Sequence, residues 1–380
     1  MTLNLARGLL DLGRPVDLVL ARASGPYLAQ AREQAQDQAQ DQAPDQSGGR
    51  APPELRLVDL DRPRVLAALP GLVRYLRRRR PRALLAAMDH ANLIALWAVA
   101  LAGTGTRCLV SVRSNLSAES AHANGLAGRL LLPLARRFYP RASAVIAVSA
   151  GVADDLQRHL RLAPGRLQVI HNPVLTPDLP ALAAAPPPHP WFGDGGLPVL
   201  LAAGRLAPQK DYPTLLEAFA RVRRVRPARL LILGEGPQRA ALAARIQALG
   251  LTPWVDLPGF TPNPFCFMRA ARLFVLASAW EGLPGVLIQA MACGTPVVST
   301  DCPSGPREVL ADGAFGALVP VGDPAALAAA ILATLERPPD PARLRARAAD
   351  FALAPISRRY LDLLDPAIDP ALDPGLDPDA

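Results

Sequence analysis

The stretch PVLLAAGRLAPQKDYPTLLEAFARVRRVRPARLLILGEGPQR (198–239) decides the architecture. PVLLAAG (198–204) is a short apolar run without alternation, the pattern of a strand covered on both faces. A polar loop follows, then a helix-length segment, Tyr212–Arg226. RLLILG (229–234) is a second buried-strand run, and the glycine-bearing GEGPQR (234–239) leads into another helix, Gln238–Leu249. Strand, helix, strand with buried strands is a parallel βαβ unit.

The same alternation extends in both directions. Downstream, WVDLPG (254–259), RLFVLAS (272–278), TPVVST (295–300) and GALVP (316–320) read as strands with helices between them. Upstream, VDLVLA (16–21), LRLVDL (55–60), ALLAAM (83–88), RCLVSV (107–112), SAVIAVS (143–149) and LQVIH (167–171) form a second series, with helices such as Leu66–Arg79 and Ala127–Tyr139. A Pro-rich stretch containing PPPHP separates the two series and reads as a linker over 174–196. The fold class is therefore α/β, two tandem Rossmann-like doubly wound domains over 1–173 and 197–338. Helices over 339–364 are expected to pack back towards the first domain. AQAREQAQDQAQDQAPDQSGG (29–49) is a low-complexity insertion, and the Asp-Pro repeats of 365–380 predict a disordered tail. The chain opens directly on an amphipathic helix, MTLNLARGLLDLG. The strand and glycine loop that normally precede it in a βαβ domain are missing, and an upstream start is expected.

Composition narrows the class. At 380 residues and 50% apolar, the chain is long enough for two cores. Cys108, Cys266, Cys293 and Cys302 have no CxxC spacing, which argues against a zinc site or disulfide framework and for a reducing, cytoplasmic setting. No apolar run is long enough to span a bilayer. Residues 1–173 carry a net charge of +10 and the remainder −2, within a total of +8. The densest run is RYLRRRRPR (74–82). Cations at a helix C-terminus would explain it. So would a basic face for anionic membrane lipid, at the inner face of the cytoplasmic membrane, or for a phosphate-bearing acceptor. Nucleic acid is not expected, because no aromatic residues interleave with the arginines.

Candidate site residues gather after the strands of the second series, where open α/β sheets bind ligands. Lys210 is the only lysine, and the other 40 of 41 basic residues are arginine. It follows Arg205 by five residues in GRLAPQK (204–210). A planar guanidinium and a compact ammonium at that spacing suit a diphosphate, although each alone would read as a surface cation. In GEGPQR, Gly234 and Gly236 allow close backbone approach at a helix N-terminus, which favours an anion; ordinary turn chemistry gives the same pattern. In EGLPGVLIQAMACGTPVVSTDCPSGPRE (281–308), Glu281 stands in a loop, ready for sugar hydroxyls. Gln289 follows eight residues later inside a helix that starts near Pro284.

These stretches resemble the retaining family 4 glycosyltransferases (group 1) of the GT-B fold. The resemblance runs through GRLAPQKDYPTLLEAFA, LLILGEGPQRAAL, LPGFTPNPF, SAWEGLPGVLIQAMACGTPVVSTDCPSGPREVL and GALVPVGD. It extends more loosely through LNLARGL, VDLVLA, AVIAVSAGVADDL and VIHNPV. It implies two domains facing a cleft and a hexosyltransferase that moves a sugar from a nucleoside diphosphate sugar, such as a UDP-sugar, to an acceptor hydroxyl with retention. It implies no metal or other cofactor. Arg205 and Lys210 map to the diphosphate, and Glu281 to the donor sugar. Gly204, Gly234, Gly236, Pro258, Gly259, Phe260, Leu283, Pro284, Gly285 and Val286 map to donor binding, with Glu308 in support. Gln289 departs from the family's second acid, which holds the ribose. His90, Arg113 and Asn115 are acceptor-side candidates in the first domain. CPSGPREVL resembles bacterial enzymes of surface polysaccharide and lipid-linked glycan synthesis. Three other readings stand beside this one. They are a UDP-sugar epimerase on the same scaffold, a non-catalytic nucleotide-sugar-binding protein, and a metal-dependent GT-A transferase using Asp59-Leu60-Asp61.

Overall fold

The computed structural model describes residues 1–23, 54–122, 126–193 and 196–366. The low-complexity segment 29–49 and nearly all of the Asp-Pro tail lie outside them. The chain divides into two units. The first contains Met1–Val148, Ala153–Pro173 and the chain from Leu353 onward; the second contains Ser149–Val152 and Val174–Ala352.

In the first unit, α1 (Thr2–Asp11) leads to strands β1 (Val16–Leu20) and β2 (Leu55–Asp59). A single 3-10 turn over Leu66–Ala68 precedes α2 (Leu69–Arg79). Then come β3 (Ala83–Ala87), α3 (Asp89–Ala102), β4 (Arg107–Val112), α4 (Leu116–Ala121), α5 (Leu126–Phe138), β5 (Ala144–Ala147), α6 (Ala150–His159, whose first residues, Ala150 to Val152, belong to the second unit) and β6 (Leu167–Val169). All six expected strands form, and every pairing is parallel. They do not make one sheet, however. Among the described residues β1 pairs only with β2, and β3-β4-β5-β6 form a separate four-stranded sheet. Side chains, not backbone pairing, join the two. Leu72 and Leu76 of α2 pack with Ile94 and Ala98 of α3, and both Val19 of β1 and Leu84 of β3 lie against this cluster. β4 and β5 are almost wholly buried, which explains their unbroken apolar runs.

In the second unit the order is α7 (Leu179–Ala184), β7 (Val199–Ala203), α8 (Tyr212–Val225), β8 (Arg229–Leu233), α9 (Arg239–Ala248), β9 (Val255–Gly259), α10 (Phe265–Ala270) and β10 (Leu273–Leu276). α11 (Gly285–Ala292), β11 (Val297–Thr300), α12 (Pro306–Val309), β12 (Ala317–Val319), α13 (Pro324–Glu336) and α14 (Pro341–Ala348) follow. The six strands form one parallel sheet in the order β12-β11-β10-β7-β8-β9. Its core runs from Leu200, Leu230 and Val275 on the strands to Leu216, Phe219 and Leu327 on the covering helices. The chain goes one way from β7 to β8 and the other way from β7 to β10. The order therefore reverses between β7 and β10, which creates a crevice beyond their carboxyl ends.

Two expected boundaries shift. The segment 174–196, read as a linker, is part of the second unit. Its α7 is tied to the loop before α10 by Asn263 Nδ2, which donates to Leu182 O at 2.8 Å. His189 Nε2 meets Asp256 Oδ2 at 3.0 Å. Proline stiffens this stretch without freeing it, because its carbonyls and apolar side chains still find partners. The C-terminal helices also part company. α14 stays with the second unit, and α15 (Leu353–Leu364) joins the first, lying along α1. Gly8 permits that contact, since a Cβ there would stand 2.0 Å from Ser357 Oγ.

Candidate functional site

The reversal between β7 and β10 brings together two loops that are distant in sequence. Gly204 and Arg205 follow β7, and Ser278 to Glu281 follow β10. Gln209 clamps them, since its carbonyl accepts from Ala279 N at 2.8 Å and its Nε2 donates to Trp280 O at 3.0 Å. Across this clamp Lys210 Nζ meets Glu281 Oε1 at 2.5 Å. Ser278 Oγ donates to the same oxygen at 2.7 Å. The Glu281 side chain is 8% exposed and that of Lys210 15%. The pair is therefore nearly dry yet reachable at its lysine end. Burial and the nearby Glu281 charge push the Tyr212 hydroxyl and Cys302 thiol above their ordinary ranges, so both stay protonated beside the pair.

Lys210 is set by local geometry. Pro208–Lys210 is a 3-10 turn, and Asp211 follows in the left-handed region (φ 42°). The Asp211 carboxylate then accepts from Thr214 N, capping α8. The lysine stem runs over Gly204, where a Cβ would lie 3.1 Å from Lys210 Cε. Arg205 is exposed.

The next loop contributes a helix end. α11 starts after Pro284, with no side-chain cap on its first amides. Leu287, Ile288, Ala290 and Met291 are buried, whereas Gly285, Val286 and Gln289 are only partly so and share the opposite face. Leu283 and Pro284 are buried.

In GEGPQR the two glycines lie against neighbouring backbone. A Cβ on Gly234 would stand 2.1 Å from Gly204 O, and one on Gly236 would stand 2.4 Å from Leu206 O. Leu206 N donates to Glu235 O, and Leu206 O accepts from Gln238 N. Both glycines thus admit the backbone of the neighbouring β7 loop. Gly259 closes this edge by accepting from Gly234 N at 2.8 Å, and Pro258 and Phe260 beside it are exposed. Glu308, on α12, accepts from Ala150 N at 2.7 Å, so its carboxylate has a backbone partner within the same unit.

The acceptor-side candidates separate. His90 is exposed on the first turn of α3. Asn115 is the N-cap of α4, its Oδ1 accepting from Ala118 N and Ser117 Oγ. Its carbonyl is thus spent on the helix end. Arg113 follows β4 and donates to Thr2 Oγ1 at 3.1 Å, and its Nε is buried without a partner among the described residues. Burial draws its pKa down, although the nearby Tyr360 opposes this. Asp59 turns onto its own chain, with Oδ1 accepting from Asp61 N at 2.8 Å. Among the described residues no group of three or more His, Cys, Asp or Glu is placed to hold a metal ion.

One residue escaped the sequence reading. Asp89, at the carboxyl end of β3, has its carboxyl pushed up to about 6 by burial, with repulsion from Glu119 added and the Tyr139 hydrogen bond opposing. The sequence signal that could have found it is its position beside His90, just past a strand.

A model described as Glycosyl transferases group 1 matches residues 197–337, and one described as Glycosyltransferase Family 4 matches residues 1–176. A Campylobacter jejuni N-acetylgalactosamine-N,N'-diacetylbacillosaminyl-diphospho-undecaprenol 4-alpha-N-acetylgalactosaminyltransferase is 32% identical over 62% of this chain and 61% of its own length. A Rhizobium meliloti lipopolysaccharide core biosynthesis glycosyltransferase is 37% identical over 35% of this chain and 38% of its own. The chain thus spans about three fifths of the Campylobacter relative. Anabaena HepE, crystallised with UDP and glucose, superposes with a TM-score of 0.72 at 21% identity, over 96% of this chain and 95% of that one. Sucrose-phosphate synthase from Thermosynechococcus elongatus gives 0.70 at 20%, over 93% and 99%. With one family model on each half, and twelve parallel strands arranged as in these GT-B structures, the chain belongs to the group 1, family 4 glycosyltransferases.

Proposed function

We propose that this protein transfers a sugar, with retention, from a nucleoside diphosphate sugar to a hydroxyl of a lipid-linked glycan or surface-polysaccharide acceptor. The observation that carries this reading is the Lys210–Glu281 pair at the reversal point of the second sheet, beside the uncapped start of α11. UDP is the nucleotide of first choice, because HepE was crystallised with it. The undecaprenol-linked substrate named for the Campylobacter enzyme supports the acceptor class.

The reaction builds negative charge on the leaving diphosphate. Arg205, Lys210 and the free amides of α11 supply positive charge to meet it, without a metal. To reach a phosphate oxygen, Lys210 exchanges Glu281 for the diphosphate, and Glu281 is released to accept from sugar hydroxyls. Until the diphosphate takes Lys210, Glu281 Oε1 is bound twice, by Lys210 and by Ser278. Attack by the acceptor on the face of the leaving group, with the phosphate taking its proton, fits this arrangement. Gln289, on the open face of α11, faces the ribose with one carbonyl acceptor where the family carries a carboxylate.

The test is a thermal-shift screen of UDP-, GDP-, ADP- and dTDP-sugars, followed by mass spectrometry and anomeric NMR of products with and without a polyprenyl diphosphate glycan. The reading predicts a stabilising UDP-sugar and an acceptor-dependent α-linked product. Interconversion of the donor sugar without acceptor would replace it with an epimerase, and donor binding without turnover with a non-catalytic role.

A further inference from the structure

Ser111 lies near the end of β4 and Arg113 just past it. Side chains two residues apart on a strand point to the same side. Both reach the layer made by α1 and α15. Arg113 Nη1 donates to Thr2 Oγ1 of α1 at 3.1 Å, and the Tyr360 hydroxyl of α15 lies beside Ser111 and Arg113. Ser111 and Tyr360 are fully buried. Ser111 Oγ, Tyr360 OH and Arg113 Nε are all buried without a hydrogen-bond partner among the described residues. α1 begins at the same place, with no side-chain cap on its first amides. All of these groups belong to the first unit.

The cluster is built of donors. A guanidinium donates only, and each hydroxyl has a hydrogen to give. The first turn of a ten-residue helix adds backbone amides. A buried polar atom without a partner is costly, and a buried charge without one costs more. Water can serve a hydroxyl but leaves the guanidinium charge uncompensated. The acids on neighbouring helices are engaged elsewhere: Glu119 of α4 accepts from the Ser114 hydroxyl, and Asp155 of α6 accepts from Ser117 and pairs with His159. A carboxylate offers two oxygens in one plane. A phosphate offers oxygens in several directions, which matches donors arriving from β4, α1 and α15. Thr2 is exposed, so the cluster is reached from solvent at the start of α1.

We propose that Arg113, Ser111, Tyr360 and the first amides of α1 form a phosphate-binding site in the first unit, which takes a phosphate group carried by the acceptor. Anion binding stands on this geometry alone. Its assignment to the acceptor rests on the transfer reaction proposed above.

The experiment is hydrogen exchange of the full chain, read by mass spectrometry, with inorganic phosphate, geranyl diphosphate or geraniol at constant ionic strength and no nucleotide sugar. Both phosphates should slow exchange in segments 1–10 and 109–116, and geraniol should not. A tighter hold on geranyl diphosphate assigns the group to a prenyl-linked acceptor, and a tighter hold on phosphate to a soluble phosphomonoester; either upholds the site. Y360F should weaken phosphate binding roughly tenfold and R113M roughly a hundredfold. In phosphate-free buffer both variants should melt no lower than the unsubstituted protein, because each removes a buried group that lacks a partner. Lower melting of both would show that the fold itself uses these groups, and would overturn the proposal. So would the absence of protection with either phosphate, or protection confined to segments 204–210 and 281–289, where phosphate would only be visiting the donor clamp. In the transfer assay Y360F should raise the acceptor KM and leave the donor KM alone. Protection without any transfer would remove the acceptor assignment together with the transfer reading and leave the anion site standing.

Discussion

Glu281→Gln and Lys210→Met, made singly and together, test whether the pair acts as one unit. At 2.5 Å and with side chains 8% and 15% exposed, the two charges attract in a poorly solvated setting. Removing one partner of a buried pair costs about 3–5 kcal/mol, because the other charge remains desolvated. Lys210→Met should fall near the top of that range, since Glu281 then keeps only the Ser278 hydroxyl. Glu281→Gln should fall lower, at about 2–3 kcal/mol, because the lysine end is nearer water and Gln retains an acceptor. The double variant leaves no orphan charge and should lie within about 1–2 kcal/mol of the unsubstituted protein. The coupling is then about 3 kcal/mol or more, well above the roughly 0.5 kcal/mol scatter of independent sites. Guanidinium denaturation followed by tryptophan fluorescence reads it directly, since Trp191, Trp254 and Trp280 all lie in the second unit. Additive single costs would refute the reasoning, as they would mean that Lys210 and Glu281 do not sense each other.

The remaining predictions concern chemistry and pH. Lys210→Arg keeps the charge and should leave stability nearly unchanged, but a planar guanidinium suits the phosphate oxygen beside Arg205 less well than a compact ammonium. Turnover of a UDP-sugar should fall about a hundredfold, the scale for losing one transition-state donor. Gln289→Glu should lower the donor KM about tenfold, by converting a neutral bond to ribose into a charge-assisted one. An unchanged KM would remove Gln289 from the ribose site. Asp89 has a folded pKa of about 6 against an unfolded 3.8, so the native state holds the proton more tightly. Its contribution favours folding most below about pH 4 and is lost as pH rises through 6. Asp89→Asn should therefore raise stability at pH 7.5 by about 1–3 kcal/mol, with little effect at pH 4, in parallel melts.

The strands were legible because buried parallel strands write themselves as unbroken apolar runs, and all twelve expected runs form strands. Their grouping was not legible. β1-β2 stand apart from β3-β6, and the Pro-rich segment around PPPHP belongs to the second unit. Pairing and docking depend on partners far along the chain, which a local pattern does not record. The site was half legible. Lys210 stood out by type, and Glu281 by its place in a loop. Gly234 and Gly236 were visible, but their immediate neighbour, the backbone of the β7 loop, was not. Asn115 looked like a binding group and caps a helix. Asp89 looked ordinary, because the burial that shifts it is tertiary.

By itself, the sequence determined the α/β class, the number of strands, the resemblance to family 4 transferases and the candidates for a diphosphate clamp. Those follow from period, composition and short motifs, all of which are local. Only the tertiary structure decided that the order of the second sheet reverses between β7 and β10, and that this reversal carries Lys210 to Glu281 across 71 positions of chain. The reason is topological. A parallel crossover can bring the next strand in on either side of β7, and the meeting of two loops at a crevice exists only once that side has been chosen.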